Sequence, residues 1–212
     1  MKTDQLITAI AADAKSTAMP IGRTLSLAVA AGGLVAALIF YMDIGARPDL
    51  AAAIDTPRFL FKYVLTFTLL VSAMGLVWHL ARPGEVPTAW LIALAAAPLL
   101  LAIASVAELF LVPSSGWGMQ LMGKNSIVCL VLIPTLSAAP LIAVILALRQ
   151  GATTHPILAG AAAGLLAAGI GATLYATHCQ DDSPLFIAVW YVIAATLVTL
   201  VGAILGARLL RW

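Results

Sequence analysis

Charge is what this chain has least of. Only 9% of its 212 residues are Asp, Glu, Lys or Arg, while 63% are hydrophobic. Soluble domains carry about 25% charged residues, so a water-facing globule is excluded and a membrane protein is implied. The mean hydropathy of +1.08 agrees. The formal net charge is +2 and no stretch gathers the basic residues, which excludes a nucleic-acid-binding face. With cysteine only at Cys129 and Cys179, a disulfide-rich scaffold is excluded and at most one intramolecular bridge remains. There is no C-x-x-C pair, nucleophile elbow, P-loop or H-E-x-x-H pattern. No row of ionisable residues runs through the apolar segments, and no repeat of halves marks a transporter. The expectation is a protein that is not an enzyme and requires no cofactor.

What is present is apolar sequence in long runs. Six of them, near Leu25–Met42, Leu60–Leu80, Trp90–Val112, Ile127–Leu148, Ile157–Thr177 and Leu185–Ala207, reach the roughly 20 helical residues that cross a bilayer core. The fold expected is all-α: a polytopic bundle of six transmembrane helices over 23–212, preceded by a short amphipathic tail over 1–22. The first run is long for a signal-peptide core, and its small residues at Ala30–Gly33 lie inside it, so it reads as a helix. With the amino end inside, seven basic residues (Lys2, Lys15, Arg23, Arg82, Arg149, Arg208, Arg211) fall inside and four (Arg47, Arg58, Lys62, Lys124) outside. That bias puts both termini in the cytoplasm.

In the tail, Thr3 is placed to cap a helix and Asp4 to sit in its first turn. Leu6, Ile7, Ile10, Ala11 and Ala14 recur at helical spacing. Such a helix has no core of its own and packs on a partner or lies on the bilayer lipids. Small residues Gly160, Gly164, Ala167 and Gly171 stripe the fifth run, with Gly202 and Gly206 on the sixth, a pattern that lets helices approach closely in lipid. Pro134 and Pro140 should bend the fourth helix, with Thr135 and Ser137 available to the freed backbone groups.

The polar exception is His178–Trp190, HCQDDSPLFIAVW, between the last two runs. Polar clusters beside a bilayer core are costly and seldom idle. Each cysteine on its own reads as a small hydrophobe, but Cys179 stands among His178, Asp181 and Asp182, and Cys129 reaches the same outer face. Two chemistries are open there. The thiols can join in a disulfide, or join His178 and a carboxylate (Asp181, Asp182 or Glu108) around a divalent or heavy-metal ion. Asp182-Ser183-Pro184 also has the form of a helix start, with Asp or Ser as cap. Glu108 reads as either the partner of a cation or an interfacial residue, and Lys62 as a side chain that snorkels to the interface.

Several of these residues together resemble one family. Arg149, Gly151, Pro156, Gly160, Gly164, Gly171 and Tyr175, then His178, Cys179, Asp182, Ser183, Pro184, Trp190 and Tyr191, are similar to the NrsF family of bacterial six-helix negative regulators. The opening Lys2-Thr3-Asp4 with Leu6 and Ile7, and the closing Leu209–Trp212, fit it as well. The resemblance implies an inner-membrane anti-sigma factor for an extracytoplasmic-function, sigma-F-type sigma factor. It implies release of that partner under heavy-metal or oxidative stress, with Cys129 and Cys179 as the family's paired cysteines. The sigma-binding part would be the tail, through Thr3, Asp4, Leu6, Ile7 and Ile10. The rival expectation is a small metal or solute transporter using the same thiols as an entry site.

Overall fold

The computed structural model describes residues 3–5, 7–8, 19–84 and 87–211. Six helices among them are long and apolar enough to cross a membrane, and no strand occurs among the described residues. We label them α1 (Ile21–Ile39, continued by a π turn Phe40–Ile44), α2 (Pro57–Leu80), α3 (Thr88–Leu111), α4 (Ser126–Leu148), α5 (Pro156–Ala176) and α6 (Pro184–Leu209). A π turn, Ile187–Tyr191, interrupts α6. The six expected runs are the six helices. The observed starts are earlier by one to four residues because proline and polar residues set them, not hydropathy. Pro57 occupies the first turn of α2 while the Thr56 hydroxyl accepts the Phe59 N–H; Pro156 and Pro184 likewise occupy the first turns of α5 and α6, and of these two only α6 has a side-chain cap. The helix α1 begins at Ile21, inside the expected tail.

The helix with the smallest side chains is the central post. Two-thirds of the apolar stretch of α5 (67%) is buried, against 11% for α3, which lies at the edge. Helix α5 packs against α2, α4 and α6, and α1 packs on α4. A Cβ added at Gly160 would come within 2.7 Å of the Gly206 Cα, and one at Gly206 within 2.8 Å of the Gly160 Cα. Gly164 meets the Thr199 backbone at 2.7 Å in the same sense. Backbone therefore touches backbone along α5 and α6, the contact that small residues permit in lipid. Gly171 does not continue that seam. It turns to α4, where a Cβ would meet the Ile133 carbonyl at 2.8 Å and the Ser137 hydroxyl.

Helix α4 is continuous through Pro134 and Pro140. Proline at these positions frees the carbonyls of Leu130 and Leu136, yet Thr135 Oγ1 and Ser137 Oγ donate to Val131 and Ile133 instead (2.8 and 2.7 Å). In the tail, Thr3–Gln5 and Ile7–Thr8 are helical, so Thr3 stands inside the helix and does not cap it. The Thr8 hydroxyl donates to the Asp4 carbonyl (2.7 Å) and Ile7 is exposed. Leu6 and Ile10 lie outside the described residues.

The α5–α6 seam yields a contrast between glycines. Gly160→Val should lower stability by roughly 1–3 kcal/mol through overpacking. Gly33→Ala, with open space around the new methyl, should be neutral or slightly stabilising. Thermal unfolding in detergent measures both.

Candidate functional site

Three connections meet at the end of the bundle opposite the start of α1. They are the chain after α1, the chain before α4, and residues 177–183 between α5 and α6. Gly45, at φ 74°, ends the π turn of α1 and frees the chain to cross over α5. The Arg47 N–H then donates to the Thr177 carbonyl (3.0 Å), and a His178 ring nitrogen, Nδ1, donates to the Gly45 carbonyl (3.0 Å).

The centre of this end is ionic, with its two cations buried. Arg47 is 7% exposed and Lys62 0%. The Arg47 guanidinium forks onto Asp49 (two bonds of 2.8 Å), reaches Asp182 Oδ2 at 2.7 Å and lies 5.6 Å over the Phe59 ring. Lys62 Nζ takes the other oxygen of Asp182 at 2.5 Å. Both cations also donate to one backbone oxygen, the Cys179 carbonyl, at 3.2 and 3.0 Å. Bonding to Asp49, then to Asp182, raises the Arg47 pKa against the opposing effect of burial; Arg47 in turn lowers that of Asp49 to about 2. The expectation that Lys62 snorkels is therefore corrected: its inward partner, Asp182, outcompetes the interface. It lies in phase with the buried Phe59, Thr66 and Ala73 of α2, a sign of inward orientation that the mostly apolar helix conceals.

The remaining carboxylates hold helix ends. Asp181 accepts the N–H groups of Lys124 (3.0 Å) and Asn125 (2.8 Å) and the Asn125 side-chain amide (2.9 Å), so it caps α4 from another part of the chain. Glu108, 3% exposed at the end of α3, accepts the Ser183 hydroxyl (2.7 Å) and the Leu185 N–H (3.2 Å) and pairs with Arg58 (3.1 Å). Of its two expected roles, the partner of a cation is the one found. Ser183, not Asp182, caps α6.

Beneath this polar layer lie the thiols. Cys129, in the first turn of α4, and Cys179 are both free and both 0% exposed. They share one apolar cluster with Phe40, Tyr175, Phe186, Ile187 and Tyr191. Burial pushes the Cys179 thiol pKa up, and the Lys62 charge pulls against it. The structure thus gathers the two cysteines but does not gather His178, Asp181, Asp182 or Glu108 around them, since each is bonded elsewhere. Among the described residues no group of three or more His, Cys, Asp or Glu is placed to hold a metal ion. Arg47, Arg58 and Asn125, missed in the sequence, are the partners that engage those carboxylates.

A family model described as "negative regulator of sigma F" matches residues 10–212. The chain belongs to the NrsF family. Over the full length of both chains it is 36% identical to the anti-sigma-F factor NrsF of Caulobacter vibrioides and 34% identical to the probable anti-sigma-F factor NrsF of Azospira oryzae. No solved structure matches it. Members of the NrsF family are regulators by description, which agrees with the lack of catalytic motifs in the sequence.

Two measurements follow from the geometry. Glu108→Ala should cost roughly 2–3 kcal/mol by stripping a charged acceptor from Ser183 and Leu185, and Glu108→Gln should cost less; thermal unfolding in detergent ranks them. Because burial raises the Cys179 pKa, its alkylation rate on a Cys129→Ser background should go on climbing above about pH 10, where an ordinary thiol has levelled off.

Proposed function

We propose that this chain is an inner-membrane anti-sigma factor that holds an extracytoplasmic-function sigma factor through its cytoplasmic amino-terminal segment and releases it when Cys129 and Cys179 react. The observation that carries the reading is the pairing of two free thiols in one buried cluster within a chain of the NrsF family. Basic residues favour cytoplasmic termini, which turns the thiol end to the periplasm. A chemical event outside is then transmitted through the helices to the tail.

Two signals suit the sulfurs. Oxidation joins them by an S–S bond, with two electrons passing to the oxidant and two protons released. A thiophilic metal ion instead replaces the two thiol protons. Either one changes the packing of α4 against α5 and α6, because Cys129 lies on α4 and Cys179 between the other two. Moving a two-state bundle from 1:99 to 99:1 takes a differential of about 5.5 kcal/mol. A covalent bridge or a metal–thiolate site is of that order; a single hydrogen bond is not. On the cytoplasmic side Thr3, Asp4, Leu6, Ile7 and Ile10 make the partner contact, and the exposed Ile7 is consistent with it.

Cys129→Ser/Cys179→Ser should keep the sigma factor bound and abolish its induced release, and deletion of residues 2–18 should release it constitutively; co-purification with the sigma factor and a promoter reporter measure both. Retained induction in the double variant overturns the sensor role. Sidedness is read separately, by placing a cysteine at exposed Asp55 in the cysteine-free protein. A membrane-impermeant maleimide should label it in intact spheroplasts.

A further inference from the structure

The two buried cations do more than balance Asp182, because they also converge on the peptide that carries Cys179. We propose that Lys62 and Arg47, closing on the Cys179 carbonyl and the Asp182 carboxylate, are positioning residues that latch residues 177–183 over the two thiols and set how fast those thiols can react. The use of the latch in signalling rests on the sensor reading above; its control of thiol access does not.

The bonds on this loop are unusually concentrated. Cys179 O accepts from Arg47 Nη1 (3.2 Å) and Lys62 Nζ (3.0 Å), while both oxygens of Asp182, three residues on, meet the same two cations. Thr177 is held twice more, through its carbonyl by the Arg47 N–H (3.0 Å) and through its hydroxyl by Tyr63 (2.8 Å). The loop therefore has its carbonyl side in an ionic layer and the Cys179 side chain in the apolar cluster with Cys129.

A buried ion pair is poor evidence of stability in itself, since well-packed apolar residues do as well. Lys62 is costly in that sense, a fully buried ammonium within an apolar helix. What these ion pairs do supply is a hold that depends on each member. Without Asp182, Lys62 has no carboxylate in an apolar place; without Lys62, Asp182 and the Cys179 carbonyl keep Arg47 alone, so either change weakens the grip on the loop. Release has somewhere to go. A polar cleft of about 320 Å³, lined by Thr56, Arg58, Gln180, Asp181, Asp182 and Ser183 among others, lies beside the loop, so its charges can reach water without any helix unfolding.

The test is the alkylation rate of Cys179 by N-ethylmaleimide in the full chain, in native membranes, on a Cys129→Ser background. Lys62→Met and Asp182→Asn should each raise it at least tenfold, whereas Gly160→Ala, which loosens the bundle elsewhere, should leave it near the parent rate. Equal rates in the latch variants and the parent overturn the proposal whatever the regulator does. A faster rate, with no change in the oxidant or metal dose that the same latch variants need for sigma release when both cysteines are present, keeps the latch and removes Cys179 from sensing. Hydrogen exchange of the unsubstituted protein gives an arm independent of variant folding. Residues 177–183 should exchange as one unit ahead of α5 and α6; exchange of that segment only with the helices would refute a separate opening.

Discussion

An ammonium group that cannot reach water must find its counter-charge inside the protein, and that requirement organises the end of this bundle opposite the start of α1. Lys62 sits on the inward face of α2, with no exposure, and Asp182 is the carboxylate that meets it. Once Asp182 is committed, Arg47 has to cross over the top of α5 to share it, which draws the chain after α1 across the bundle and buries Phe59 under the guanidinium. The neighbouring carboxylates then follow a simple division. Asp181 closes the open end of α4, and Glu108 fixes the start of α6 to the end of α3. In a low-dielectric setting each of these pairings is worth more than at a wet surface, and each is correspondingly expensive to break.

The opposite principle governs the middle of the molecule. There, α5 has almost no side-chain bulk, and its contacts with α6 are between backbones at Gly160, Gly164, Gly202 and Gly206. Lipid provides no hydrophobic drive between helices, so close packing must hold them. The two regimes meet near Gly171 and Tyr175, where α5 leaves the glycine seam for α4 and enters the thiol cluster. A chemical change at Cys129 or Cys179 is thus delivered to the junction between a tightly packed post and an ionic cap, where small displacements are hardest to absorb locally.

The helices were legible because hydropathy over some twenty residues is a strong signal; their ends were not, because Pro20, Thr56 and Pro184 decide them and each is a single residue. The neighbourhood of Cys179 stood out by contrast with its surroundings. The roles of its acidic residues did not, for their partners are 56 to 135 residues away in the chain. A run such as Asp181-Asp182 reads alike whether it caps a helix, pairs with a cation or waits for a metal. Lys62 is hard to read for a related reason. In a mostly apolar helix little contrast shows which face looks inward, so a charge near the end reads as one that reaches water. Only the three-dimensional meeting of α2 with the 177–183 loop distinguishes the two outcomes.

The π turn in α6 bears on how one helix serves both regimes. Such a turn accommodates an extra residue, and one residue of an α-helix corresponds to about 100° of rotation. Before it, Phe186 is buried in the cluster that holds the sulfurs; beyond it, Val198 is buried in the core with α5 and Gly202 meets the Gly160 and Gly164 backbone. The inserted residue acts like a vernier between two scales, letting the angular setting of the upper segment be chosen independently of the lower. Drift in the sequence around the cysteines can thereby be accommodated without re-machining the glycine contact on which the bundle is hung.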